Sequence, residues 1–150
     1  MYRFVILFLL SLLFISCGIV DTEEKHVFVQ PYFPQPYINY NGIVSNNGSS
    51  QASFTMVNSS TETIQYFAYA PAEPHYSSEV LTDSGWVYLF WNWCGTGAEY
   101  FSLESDSSFE FTTGLPNESC TWRVMINVSD QEGTNTHFVR SEGLEYTAPQ

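Results

Sequence analysis

Basic residues are nearly missing from this 150-residue chain: four lysines and arginines stand against sixteen aspartates and glutamates, a formal net charge of −12. Affinity for nucleic acid rests on Lys and Arg neutralising phosphates, and peripheral attachment to anionic lipid needs the same residues. This balance argues against both. The acids are spread along the chain rather than blocked, which reads as a solvated surface and not as an acidic tail. Histidine is scarce too, with His26, His75 and His137 isolated and none beside a cysteine. A zinc or copper site needs His and Cys at short spacing, so no metal ligand is assigned. Also missing are Cys-x-x-Cys, Gly-x-Ser-x-Gly, Ser-x-x-Lys and His-Glu-x-x-His, the signatures of dithiol redox centres, serine hydrolases, β-lactamase-like enzymes and zinc proteases. Glu99, Glu104, Glu110 and Glu118 fall among expected strand ends and turns, where a solvated acid is the ordinary state and a glycosidase pair is not indicated. Ser129–Gly133 has the composition of a calcium loop without its ligand spacing, and reads as a hairpin turn. No catalytic residue and no cofactor is assigned, and the chain reads as non-enzymatic.

What is present begins at the N-terminus, "MYRFVILFLLSLLFISCG". Arg3 precedes a run from Phe4 to Ile15 that is apolar except for Ser11, the layout of a secretory signal and too short to span a bilayer comfortably. Phe14-Ile15-Ser16-Cys17 resembles the lipobox of bacterial lipoproteins, with Phe where Leu is commoner. The resemblance implies a signal peptide over residues 1–16 and acylation of Cys17 as the first mature residue, so that the acyl chains make the membrane contact. Gly18 after the cysteine implies the outer membrane or cell surface under that family's sorting rule. Cysteine arithmetic agrees. Three cysteines leave an odd thiol in an exported protein, and lipidation of Cys17 leaves Cys94 and Cys120 as an even pair. Residues 17–42 follow as a tether with Pro31, Pro34 and Pro36 and an acidic start, "DTEEK", similar to surface-export tethers of some lipoproteins.

From residue 43 to 150 the hydrophobic period settles at two. Strands are expected at 52–58, 63–70, 85–93, 98–104, 108–114, 121–129, 136–142 and 144–148, rich in aromatic and β-branched residues and separated by turn residues. Seven to eight short strands in one domain predict an all-β, Ig-like two-sheet antiparallel sandwich. "TWRVMINVSDQEGTNTHFVRSE" (121–142) resembles the last two strands of fibronectin type III domains. The wider stretch from "ASFTMVN" to "WRVMI" is similar to small Ig-like domains of uncharacterised exported bacterial proteins. Both resemblances imply the fold and no activity. If 85–94 is the third strand and 120–129 its antiparallel neighbour, Cys94 and Cys120 lie side by side, and a structural disulfide is expected.

The densest aromatic stretch is "GWVYLFWNWCGTG" (85–97). Alternation puts Trp86, Tyr88 and Phe90 on one face and Trp91 and Trp93 on the other. With the first set inward, Trp91, Trp93 and Tyr100 face outward as ligand-binding candidates. Three readings follow: an envelope interaction or scaffold domain with a protein or glycan partner, a carbohydrate-binding module using those aromatics, or a hydrolase inhibitor inserting "APAEPHYSSE" (70–79). Four Asn-x-Ser triplets, at Asn47, Asn58, Asn117 and Asn127, are expected to mark exposed loops.

Overall fold

The computed structural model describes residues 35–149 apart from 47 and 92–95. The signal segment, Cys17 and nearly all of the tether lie outside the described residues, as do Trp93 and Cys94, and Trp91 enters through its backbone alone. The described residues form an all-β fold of two antiparallel sheets. One sheet has three strands in the order β1 (Tyr37–Asn46), β2 (Ser49–Asn58), β8 (Ser107–Thr113). The other holds eight: β3 (Ile64–Ala70), β4 (Glu73–Pro74), β5 (Tyr76–Thr82), β6 (Gly85–Trp91), β7 (Glu99–Leu103), β9 (Cys120–Ser129), β10 (His137–Arg140) and β11 (Leu144–Tyr146).

Register simplifies the larger sheet. Tyr66 pairs with Val128 and Tyr76 with Ile126, so β3 and β5 lie end to end along one edge of β9. Between them the chain leaves the ladder, turns at Pro71 and Ala72 and returns through β4. The His75 N–H donates to the Phe67 carbonyl at 2.8 Å and closes the neck of this excursion. β6 pairs with β5 and β7 with β3, again end to end, and β10 and β11 share the far edge of β9. The large sheet is therefore four ladders wide: β10 with β11, then β9, then β3 with β5, then β6 with β7. With the three-stranded sheet this makes the seven-stranded β-sandwich that the period-two patterning predicts.

The core comes from one side of each strand. Ala52, Phe54 and Met56 on β2 face Trp122, Val124, Ile126 and Val128 on β9, all buried. Phe54 stacks on Phe111 with ring centroids 5.5 Å apart and meets the edge of Trp122 across the sheets at 6.0 Å. Tyr66 stacks on Phe109 at 4.8 Å. Such contacts add about 0.5–1.5 kcal/mol each beyond their buried area.

Asn58, read from its triplet as an exposed loop residue, is fully buried. Its amide donates to the carbonyls of Glu62 at 2.8 Å and Leu103 at 2.9 Å, and its oxygen accepts from the Ser60 hydroxyl at 2.6 Å. One side chain thus ties the β2–β3 connection to β7. Asn58→Ala leaves two backbone carbonyls without these donors and is expected to destabilise by about 2–4 kcal/mol in chemical denaturation. A loss below about 1 kcal/mol would show that water replaces the amide there.

Three expectations are corrected. β1 begins at Tyr37, inside the segment read as tether, because Ile38 is buried in the core and bridges Ser141. The polar run "YSSE" conceals the central strand β5, so residues 70–79 are not one exposed loop; Tyr76 to Glu79 are buried. β6 is not the neighbour of β9. β5 lies between them, and two strands each antiparallel to β5 run parallel to one another.

Candidate binding surface

The outer face of the large sheet is built around a carboxylate. Ladder partners share a face, so Glu79 of β5 stands beside Arg123 of β9 and Tyr88 of β6. Glu79 is only 7% exposed. Its Oε2 accepts from Arg123 Nε at 2.7 Å, with Arg123 Nη2 also at 2.7 Å, and Arg140 Nε lies at 3.7 Å. The Arg123 guanidinium lies over Trp86, 4.0 Å from the ring centroid. A buried carboxylate demands such partners, since taking it out of water unpaired costs several kcal/mol. Arg123 and Arg140 are the two Lys/Arg residues of the described region, and both converge on this one acid. Met125, on the same side of β9, is fully buried.

Beside this hub lies a groove of about 460 Å³. Ser77, Met125 and Asn127 form its floor, Tyr88 and Leu89 one wall and Phe138 the other. The exposed rim is aromatic: Tyr88 is 66% exposed and Phe138 39%. Tyr100, one of the candidates from sequence, is 68% exposed and packs its ring 5.1 Å from Phe67 on the same sheet. His75 meets Phe67 and Tyr69 edge-on, and burial lowers its pKa.

The face assignment within β6 differs from simple alternation. Trp86 pairs with Leu81 and Tyr88 with Glu79, both on the outer side, where an inward set was expected. The ladder slips between Ser78 and Glu79, leaving Leu89 as the extra residue of a bulge. Of the other candidates, the Trp91 backbone pairs with Ser77, and Trp93 lies outside the described residues.

Cys120 carries a free thiol, half-buried at a second cavity of about 540 Å³ beside Trp122 and Leu115. Burial raises its pKa, with Glu118 and Glu145 adding to the shift, so the sulfur is held as a protonated thiol rather than a nucleophile. The disulfide expectation rested on β6 running beside β9. The register removes that basis: Trp91 aligns through Ser77 with Met125, whereas Cys120 starts β9. Cys94 itself lies outside the described residues.

Burial also raises the pKa of the Tyr66 and Tyr76 phenols. With Cys120 they are neutral in the folded state at a pH where the unfolded chain ionises them. Their contribution to stability is complete below about pH 8.5–10, where the unfolded groups titrate, and is lost as pH rises through the raised folded values. The melting temperature should therefore fall progressively above pH 9, and a flat profile to pH 11 would contradict the burial of these groups. At the β9–β10 turn, Asp130 accepts from the side chain and backbone of Thr134 and from Asn135, which lowers its pKa to about 2. This fits a hydrogen-bonded hairpin turn, as its composition suggested.

Among the described residues, no group of three or more His, Cys, Asp and Glu is placed to hold a metal ion. The chain matches no protein-family model, and no curated protein is significantly similar to it.

Sequence reasoning missed the Glu79–Arg123–Arg140 hub. A signal existed: in a chain this poor in cations, Arg123 and Arg140 both fall on expected strands, one opposite in phase to the Trp122, Val124, Ile126 set.

Proposed function

We propose that the chain is a non-catalytic cell-envelope lipoprotein, anchored by an acylated Cys17 and carrying its sandwich on a proline-containing tether. The domain engages a partner in the envelope through the outer face of its large sheet. The observation that carries this reading is the exposure of Tyr88, Phe138 and Tyr100 on one sheet, the first two lining a groove beside a hub whose charges are already paired. Exposed aromatics clustered on one face are the usual anchors of recognition surfaces. The lipobox-like Phe14-Ile15-Ser16-Cys17 after the apolar run from Phe4 supports the anchor. Outer-membrane or surface placement follows from Gly18 under the lipoprotein sorting rule.

A carbohydrate partner is the second reading, favoured by Tyr88 and Tyr100 both standing about two-thirds exposed on the large sheet. The inhibitor reading keeps only the tip of the β3–β4 excursion, where Pro71, Ala72 and Glu73 are exposed and the Tyr66 hydroxyl donates to the Pro71 carbonyl. The test is a photo-activated cross-linker placed at position 88 in the cell-bound protein, which is expected to capture an envelope component.

A further inference from the structure

The geometry points to the groove between Tyr88 and Phe138 as the seat of a neutral oligosaccharide, with one pyranose against Tyr88 and another against Phe138. This inference rests on the outer face being the binding surface and adds the site and the ligand class.

Three observations carry it. The first is charge. The −12 chain repels polyanions, so a polyuronate is disfavoured. The lining holds no carboxylate to receive a metal ion, and Glu79, the ladder partner of Tyr88, is taken by Arg123 at 2.7 Å. His75 is the one lining residue with an imidazole, and burial lowers its pKa; the cation at the edge, Arg140, lies 5.4 Å from the Phe138 ring centroid and is engaged by Glu79 at 3.7 Å. An uncharged ligand is what such a lining complements.

The second is the arrangement of polar and apolar groups. A pyranose presents C–H faces to the negative face of an aromatic ring and hydroxyls around its rim. Tyr88 and Phe138 supply rings, while Asn127 and Ser77 supply an amide and a hydroxyl from the floor between them. A few polar groups among apolar walls fix the orientation of a small ligand, and about 460 Å³ lies within the roughly 300–1,000 Å³ range of such sites.

The third is span. Tyr88 is on β6 and Phe138 on β10, with β5 and β9 between them. Three strand spacings of about 4.8 Å separate them by roughly 14 Å across the sheet, and because Tyr88 is level with Arg123 and Phe138 with Asn127 they are also offset by roughly 13 Å along the strands, a diagonal of about 19 Å between backbones. That exceeds one sugar ring, so a single pyranose cannot touch both walls and a short chain laid diagonally over the strands can.

The test is isothermal titration calorimetry on the full chain held in a polyoxyethylene detergent, which has no sugar headgroup. The probes are cellohexaose, chitohexaose, mannohexaose, a hexameric alginate and glucose. The expected result is saturable binding of at least one neutral hexasaccharide, at least tenfold tighter than glucose. Tyr88→Ala and Asn127→Ala are each expected to weaken it tenfold or more with the melting temperature unchanged, and Thr112→Ala, exposed on the other sheet, to change it less than twofold. Because Tyr88 and Asn127 are both exposed, neither variant threatens the core. No binding of the three neutral hexasaccharides, preference for the alginate, or loss of binding in Thr112→Ala but not Tyr88→Ala each overturns the proposal. The broader reading of the outer face survives those failures if the cross-linker at position 88 still captures an envelope component.

Discussion

Replacing Arg123 with methionine is expected to cost about 3 kcal/mol of folding stability, far more than an ordinary surface arginine. The reason is what remains behind. Glu79 is almost fully buried and would keep Arg140 alone, at 3.7 Å and on the solvent side. Removing one partner of a buried pair typically costs about 3–5 kcal/mol, because the other charge stays desolvated. Arg123 is itself 21% exposed, which places this pair toward the lower end. The companion variant Glu79→Leu/Arg123→Met should recover most of the loss, since an apolar pair removes both desolvation costs together. Guanidinium denaturation of the two variants reads the difference. A cost below about 1 kcal/mol for Arg123→Met would place the pair among screened surface ion pairs.

Changing Cys17 to serine is expected to move the protein out of the membrane fraction almost completely. If the acyl chains on Cys17 are the attachment, nothing among the described residues supplies another. The basic residues that could hold an anionic bilayer are too few, and none of the described residues forms a helix long and apolar enough to cross a membrane. Radiolabelled fatty acid should enter the wild-type chain and not the serine variant. Continued labelling or continued membrane sedimentation of Cys17→Ser would contradict the anchor.

Fold class was legible in the sequence because alternation in β2 and β9 is clean: Phe54 and Met56, and Trp122, Val124, Ile126 and Val128, all fall on the buried side. The turn at Asp130 was legible for a different, local reason: hydrogen bonds within a few residues decide it. What was not legible depends on partners distant in sequence. β5 reads as a polar loop because Ser77, Ser78 and Glu79 gain their burial from neighbouring strands, and Glu79 in particular from an arginine 44 residues away. Asn58 looks like a loop asparagine until Leu103 and Glu62 are seen to supply its acceptors. The outward Trp86 and Tyr88 were supposed inward on alternation alone, which separates the two faces of a strand but, where both are apolar, does not say which one meets the core. One face of β6 carries Trp86 to the arginine hub, and the other leaves Val87 at 41% exposure. Exposed aromatics on one outer face were thus foreseeable in kind, Tyr100 among them, whereas the groove is lined by Tyr88 and Phe138.

The central claim is that the outer face of the large sheet is where this domain meets the envelope. The most direct measurement places a photo-reactive phenylalanine analogue at position 88 in one cell-bound variant and at Thr112, exposed on the opposite sheet, in another. Illumination of intact cells is predicted to yield a discrete cross-linked product from position 88 and none from position 112. Products from position 112 alone, or none from position 88 while the protein remains folded and membrane-bound, would contradict it.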